Sequence, residues 1–373
     1  MKAIIHIILG KANPNRMNGV NKVVYQLANA QREIGEKVQV WGITKDPKSS
    51  SDYAREFHLS LFKKQINPFG IDAKLVKAIE GEDQASIFHL HGGFVPEMYA
   101  LSQILSRNKR VYVFTPHGSY NLLALRKSYF IKKIYLNLFE KSLLKKAEYV
   151  HLIGQSEADS MDALELDANQ VLIPNGQVIE QETTVENMAD SPDINFGFMG
   201  RFTIYTKGLD LLFKGFQLYK DEYNGTGKLK MIGAGGEVEK MKKLVDELNL
   251  SDSVIFMGAK YGDEKKSCLR DLTGFFHPSR NEGMPGAVLE ASALGVPCVV
   301  SKATNLMSYI DDYRAGFGLK DNSPECIANA MVKLELRKKS GSISIMSFNS
   351  QRMIAEEFDW KKIAKHFSNE VFV

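Results

Sequence analysis

Short apolar runs, many of them β-branched, alternate with longer amphipathic stretches along nearly the whole chain, and this rhythm restricts the fold most. Residues 3–9, 37–43, 87–91, 111–115 and 149–153 read as strands. Stretches 22–34, 96–105 and 128–146 between them have helical periodicity. Parallel strands cannot be joined by tight turns, so such alternation predicts parallel sheets with crossover helices. Residues 176–193, polar and acidic without periodicity, break the rhythm and read as a linker. It then restarts, with strands expected at 196–199, 229–232, 254–257, 274–277 and 297–301. Helices are expected at 209–223, 237–248, 285–294 and 324–337. The reading is α/β: two Rossmann-like domains facing a cleft, with ligand chemistry in the loops beyond the strand carboxyl ends.

A length of 373 residues suits two domains, and 44% hydrophobic with 25% charged residues suits a soluble globular chain. Cys268, Cys298 and Cys326 fit no metal or redox spacing, which suggests a reducing, cytoplasmic setting. The apolar start is short, interrupted by His6 and followed by Lys11, so it reads as a buried strand rather than a signal peptide. No run approaches the roughly 20 apolar residues of a membrane span. Residues 1–150 hold 23 Lys+Arg against 12 Asp+Glu, whereas 151–373 hold 25 against 32. An anionic partner is therefore expected on the first part of the chain.

The most informative stretch is FFHPSRNEGMPGAVLEASALGVPCVVS, residues 275–301. A strand ends near His277, a loop carries Glu282 and Gly283, and Pro285 stands where a helix should begin. Unpaired N–H groups of Gly283, Met284 and the first helical turn would favour an anion. With Glu290 about a turn into the helix, one of the two carboxylates is expected at the sugar end of a bound nucleotide sugar and the other at its ribose hydroxyls. Two isolated glutamates would ordinarily be solvated; coincidence with Gly, Pro and a helix start favours function. In FGFMGRFTIYTKGL, Gly200 is read as ending a strand, with Arg201 and Lys207 in the following loop. Two cations there suit a diphosphate and the charge growing on it as it leaves. Alone, they would read as solvated surface residues.

Met17, Asn18 and Gly19 follow the first strand, and Gly19 would let backbone approach a phosphate before the next helix. The absence of a GxGxxG fingerprint argues against a dinucleotide-dependent dehydrogenase. His117, in FTPHGSY, suits either a sugar hydroxyl or a structural loop. His89 and His91 in FHLHGG are read as pointing in different directions, with at least one in the core, so no shared metal is expected. MIGAGGE at 231–237 lacks a P-loop's lysine and is read as a tight strand-to-helix passage. No Asp-x-Asp motif occupies a strand-end loop, so carboxylate ligands for a metal-held diphosphate are not evident.

These motifs together (GRF…KG, EGMPGAVLE, GVPCVVS, PNG at 174–176 and FDW at 358–360) resemble family-4 retaining glycosyltransferases over nearly the whole chain. The resemblance implies a GT-B fold, a nucleotide-sugar donor, retention at the anomeric carbon and no metal or other cofactor. It implies phosphate contact at Gly19, with Asn18 beside it, and sugar contact at His117. Arg201 and Lys207 become the diphosphate pair, Glu282 the sugar-site glutamate and Glu290 the ribose glutamate, with Gly283, Met284 and Pro285 lining the donor. The Arg-to-Lys separation is six positions where five is usual. It also implies a last helix, from Trp360 to Phe372, that returns to the first domain. The domains are then 1–178 with 358–373 for the acceptor, and 192–357 for the donor. With no obvious carboxylate nucleophile, same-face attack with the leaving phosphate taking the acceptor's proton is preferred to double displacement.

Residues 121–148 carry Arg126, Lys127, Lys132, Lys133, Lys141, Lys145 and Lys146, interleaved with Tyr129, Phe130, Tyr135 and Phe139. They read either as a core helix with a lysine-rich solvated face or as an interfacial helix meeting anionic lipid. The second reading implies a glycan or lipid-linked glycan acceptor, as in bacterial surface polysaccharide synthesis, at the inner membrane face. Alternatives of the same architecture are a nucleotide-sugar epimerase and a non-catalytic nucleotide-sugar-binding protein. Nucleic-acid binding is not expected, since one basic helix makes no recognised module.

Overall fold

The computed structural model describes residues 2–14, 19–48, 53–121, 125, 129–179 and 192–372. The chain divides into two compact units, Met1–Gly176 with Trp360–Val373, and Gln177–Asp359. Each holds one wholly parallel sheet with helices in the crossovers.

In the first unit the strands are β1 (Ala3–Leu9), β2 (Lys37–Thr44), β3 (His58–Lys63), β4 (Ile87–His91), β5 (Tyr112–Thr115), β6 (Tyr149–Leu152) and β7 (Gln170–Leu172). Their order is β3-β2-β1-β4-β5-β6-β7. β1 and β4 are buried almost throughout, which is why they read as continuous apolar runs rather than alternating ones. β3, half-exposed at the sheet edge, and the three-residue β7 lack that signature, and the sequence reading missed both. The helix Trp360–Glu370 packs against Gly19–Glu33 in this unit. Gly176 is needed where the chain passes it, because a Cβ there would lie 2.5 Å from the Trp360 ring.

The second unit has β8 (Asn195–Arg201), β9 (Lys228–Ala234), β10 (Val254–Gly258), β11 (Gly274–His277), β12 (Cys298–Ser301) and β13 (Gly316–Leu319), ordered β10-β9-β8-β11-β12-β13. The helix Leu209–Asp221 buries Leu209, Leu212, Phe213, Phe216 and Tyr219, a 3.6-period stripe, into a core shared with Pro324–Lys339. Fully burying each such side chain contributes on the order of 2 kcal/mol. β13 was also missed: its GFGL sequence has two glycines in four positions.

In both sheets the strand order reverses beside the first strand of the unit, between β1 and β4 and between β8 and β11. Loops leaving such neighbours diverge and leave room for a ligand beyond the carboxyl ends.

Three expectations are corrected. His89 and His91 are two positions apart in β4, so they fall on one face of the pleat; both are buried, with ring centroids 4.1 Å apart. With His6 of β1 they place ring nitrogens within 4.8 Å of one another, an arrangement that could hold a metal. Gly19 opens the first helix instead of preceding it, and a Cβ there would meet nothing, so no steric demand for glycine exists. β8 runs on through Gly200 to Arg201, and Lys207 ends a short helix, Ile204–Lys207, rather than standing in a loop.

Candidate donor site

The loop after β8 and the loop after β11 begin on neighbouring strands, so residues 75 positions apart in sequence meet. Lys207 Nζ donates to Glu282 Oε1. The same oxygen lies 2.9 Å from His277 Nε2 and 3.1 Å from Ser279 Oγ, which donates to it. Burial alone would raise the Glu282 carboxyl, but the hydrogen bond and charge of His277, followed by the charge and hydrogen bond of Lys207, outweigh it and hold it down at about 2. Desolvation pushes His277 below its ordinary value, so at neutral pH the ring is uncharged and Nε2–H serves as donor. Glu282 is therefore an ionised, largely buried carboxylate fixed by three donors.

Several backbone features fix this geometry. Gly208 has φ +65°, and a Cβ there would lie 1.9 Å from the Pro278 carbonyl oxygen, so only glycine lets the two loops approach so closely. Glu237 Oε2 accepts from Ile204 N at 2.6 Å, at the start of the Lys207 helix. Arg280 donates two bonds of 2.7 Å to Asp210 and one of 2.8 Å to the Tyr205 carbonyl, while its backbone N–H donates to Thr206 O at 2.9 Å. Its guanidinium also lies 4.5 Å from the Tyr205 ring centroid. Arg280 thus clamps the turn that carries Lys207 to the loop that carries Glu282. Between Arg201 and Lys207 the chain makes one short helical turn, Ile204–Lys207.

The helix beyond Pro285 runs Gly286–Ala293, with Pro285 at its N-cap and no side chain capping it. Its first N–H groups, with those of Gly283 and Met284, suit an anion. The Gly283 carbonyl is taken by Asn305 Nδ2 at 2.5 Å. Glu290 is a turn inside this helix, with Oε2 2.7 Å from Lys265 Nζ. Arg201, exposed at the end of β8, makes no ion pair among the described residues.

In the first unit, His117 follows β5 with φ +55°, next to Gly118 at +78°. A left-handed non-glycine residue is uncommon and gathers at functional sites. The turn is held by Glu157, which accepts from Gly118 N at 2.6 Å. His91 Nδ1 lies 2.9 Å from His117 Nε2. Asn21 accepts from Lys11 N and Ala12 N at 3.1 and 3.0 Å, fixing the passage out of β1. Asn18, with Met17, lies outside the described residues.

His277, Ser279, Arg280 and Asn21 were missed. His277 and Ser279 lie inside the motif that gave Glu282, and its short-range spacing could have singled them out. Arg280 meets Asp210 across 70 positions, which no local pattern signals.

The profile described as Glycosyl transferases group 1 matches residues 180–343, and that described as Glycosyltransferase Family 4 matches 17–180. The chain is a family-4 glycosyltransferase of group 1. It is 28% identical to the uncharacterized glycosyltransferase MJ1607 of Methanocaldococcus jannaschii, over 46% of this chain and 43% of that protein, and so spans under half of that relative's length. The UDP-Gal:alpha-D-GlcNAc-diphosphoundecaprenol alpha-1,3-galactosyltransferase of Escherichia coli is 24% identical over 66% of this chain and 65% of its own. Among solved structures, Anabaena HepE in complex with UDP and glucose superposes with a TM-score of 0.72 at 16% identity, covering 99% of both chains. The glycosyltransferase fold is GT-B, two α/β Rossmann-like domains with parallel sheets.

Proposed function

We propose that this glycosyltransferase moves a hexose-type sugar from a UDP- or GDP-sugar to a lipid-linked glycan, with retention and without a metal ion or other cofactor. The observation that carries the reading is Glu282, ionised against Lys207 at the strand-order reversal and beside an uncapped helix N-terminus. Arg201, Lys207 and the N–H groups around Gly283 and Met284 are assigned to the diphosphate, whose growing charge they offset as it leaves. Glu282 is assigned to sugar hydroxyls and Glu290 to the ribose. Phosphate oxygen, freed on the same face as the attacking hydroxyl, takes the acceptor's proton.

The acceptor assignment is supported by residues 129–146 in the first unit. Phe130, Ile131, Ile134 and Leu138, between 60% and 80% exposed, share one helical stripe. An ordinary core helix would bury that stripe and leave only lysines outside. Lys132, Lys133 and Lys141 edge a groove of about 140 Å³ whose apolar lining includes Leu125 and Leu136, which suits a lipid diphosphate. No helix among the described residues is long and apolar enough to cross a membrane. The reading is a peripheral contact at the cytoplasmic membrane face. Arg126 and Lys127 lie outside the described residues.

A thermal-shift panel of UDP-, GDP- and ADP-sugars should show a rise with the true donor. Nucleoside diphosphate should then be released only with acceptor, undiminished in EDTA, and product NMR should show the donor's anomeric configuration. An inverted product overturns retention, and release without acceptor overturns transfer. Flotation with anionic vesicles should weaken with salt and be lost in Phe130→Asp/Ile134→Asp.

A further inference from the structure

Five of the eight histidines lie together in the first unit: His6, His89, His91, His117 and His151. They form two hydrogen-bonded chains. In one, Gln31 Oε1 is 2.7 Å from His6 Nε2, His6 Nδ1 is 2.9 Å from His91 Nε2, and His91 Nδ1 is 2.9 Å from His117 Nε2. In the other, the Ile173 carbonyl is 2.7 Å from His151 Nε2, His151 Nδ1 is 2.8 Å from Thr115 Oγ1, and Thr115 Oγ1 is 2.6 Å from His89 Nε2.

Desolvation keeps these rings neutral, each with one N–H and one lone pair. A neutral chain has a direction that one fixed end decides. Gln31 faces the ring with Oε1, its amide Nε2 being buried without a hydrogen bond, and in this orientation the carbonyl oxygen can only accept, so His6 carries its proton on Nε2 and offers a lone pair on Nδ1. His91 must then donate from Nε2, and its Nδ1 must accept from His117 Nε2–H. In the second chain the Ile173 carbonyl fixes His151 in the same sense. Thr115 donates to His151, and the single N–H of His89 is committed to Thr115. His89, packed against His91, therefore has no proton to give to the first chain.

We propose that Gln31, acting through His6 and His91, holds His117 as the Nε2–H tautomer, so that Nδ1 is presented to the substrate as an acceptor of a hydroxyl proton. His117 is half-buried, and no partner for Nδ1 is found among the described residues. Gln31, His6 and His91 are positioning residues, and their effect on turnover rests on the reading of His117 as the sugar contact. The rival use of the same rings is a metal bound by His6, His89 and His91. A cation taking both His6 Nδ1 and His91 Nε2 would displace the proton between them. His91 would then donate from Nδ1, and His117 would become the Nδ1–H tautomer. The two arrangements thus predict opposite tautomers of one ring.

Long-range ¹H–¹⁵N correlation spectra of the full chain, labelled with ¹⁵N-histidine, decide between them. We expect Nε2–H signatures for His6, His91 and His117 at neutral pH. Gln31→Met should give a mixed His117 signature and lower kcat about tenfold or more, with the donor KM little changed. His117 as Nδ1–H in the unaltered chain, or stoichiometric zinc uptake that turns it to Nδ1–H, overturns the proposal. So does an unchanged His117 signature in Gln31→Met. Full activity in His117→Ala would refute the catalytic reading of His117 alone, since the tautomers are read without turnover.

Discussion

Glu282 shows how a single carboxylate becomes both a site and a stability element. Lys207, His277 and Ser279 converge on one of its oxygens, and its folded value of about 2 lies below the ordinary 4.5. A depressed carboxyl contributes stability in full above its unfolded value, and that stability is lost as pH falls from about 4.5 towards 2. Glu282→Gln should therefore destabilise the second unit by about 2 kcal/mol at pH 7 and by less near pH 3, read by urea unfolding at both. Turnover should fall at least a hundredfold. Equal destabilisation at the two pH values would mean the carboxylate is not held by charge.

At the scale of elements, the decisive piece is the turn that joins β8 to the helix Leu209–Asp221. Glu237 holds the start of its short helix, Arg280 its middle and Gly208 its end. Gly208→Ala combines a left-handed backbone with a Cβ placed on the Pro278 carbonyl, so loop and strand end must part. We expect a loss of about 2–3 kcal/mol in thermal or urea unfolding. Donor affinity should weaken too, because Lys207 moves away from Glu282. Gly236→Ala, where a Cβ meets nothing and φ is not left-handed, is the control and should change stability by less than about 1 kcal/mol.

Over the whole molecule, buried titratable groups set an uneven response to acid. His6, His89, His91, His117 and His151 are all pushed below 6.5 by desolvation, to about 4, 3 and 4 for His6, His117 and His151. Unfolding lets them take up protons, so their contribution is intact above 6.5 and lost as pH falls through that value. Glu140 and Glu157 act oppositely: desolvation raises both to about 7, and their contribution fades as pH rises from 4.5 through 7. Near pH 5 the five histidines outnumber the two glutamates, so these groups together take up protons on unfolding. Stability should then fall as pH is lowered from 6.5 towards 4.5. Urea titrations between pH 4.5 and 6.5 measure that slope, and a flat profile would show that the cluster is not buried neutral.

Two α/β units, most of their strands, and the loop-and-helix start that carries Glu282 and Glu290 are legible in the amino-acid sequence. These are local properties: apolar runs reveal buried parallel strands, and Gly, Pro and charge at a strand end reveal a helix opening. β3, β7 and β13 escaped because edge exposure, shortness and glycine erase the apolar run. Only the folded chain brings Lys207 onto Glu282, ties their loops together through Arg280, and gathers His6, His89, His91, His117 and His151 into one cluster. Those contacts depend on strand order and on which face of a pleat a residue meets across a neighbouring strand. A parallel sheet sets such neighbours tens of residues apart, beyond the reach of any local pattern.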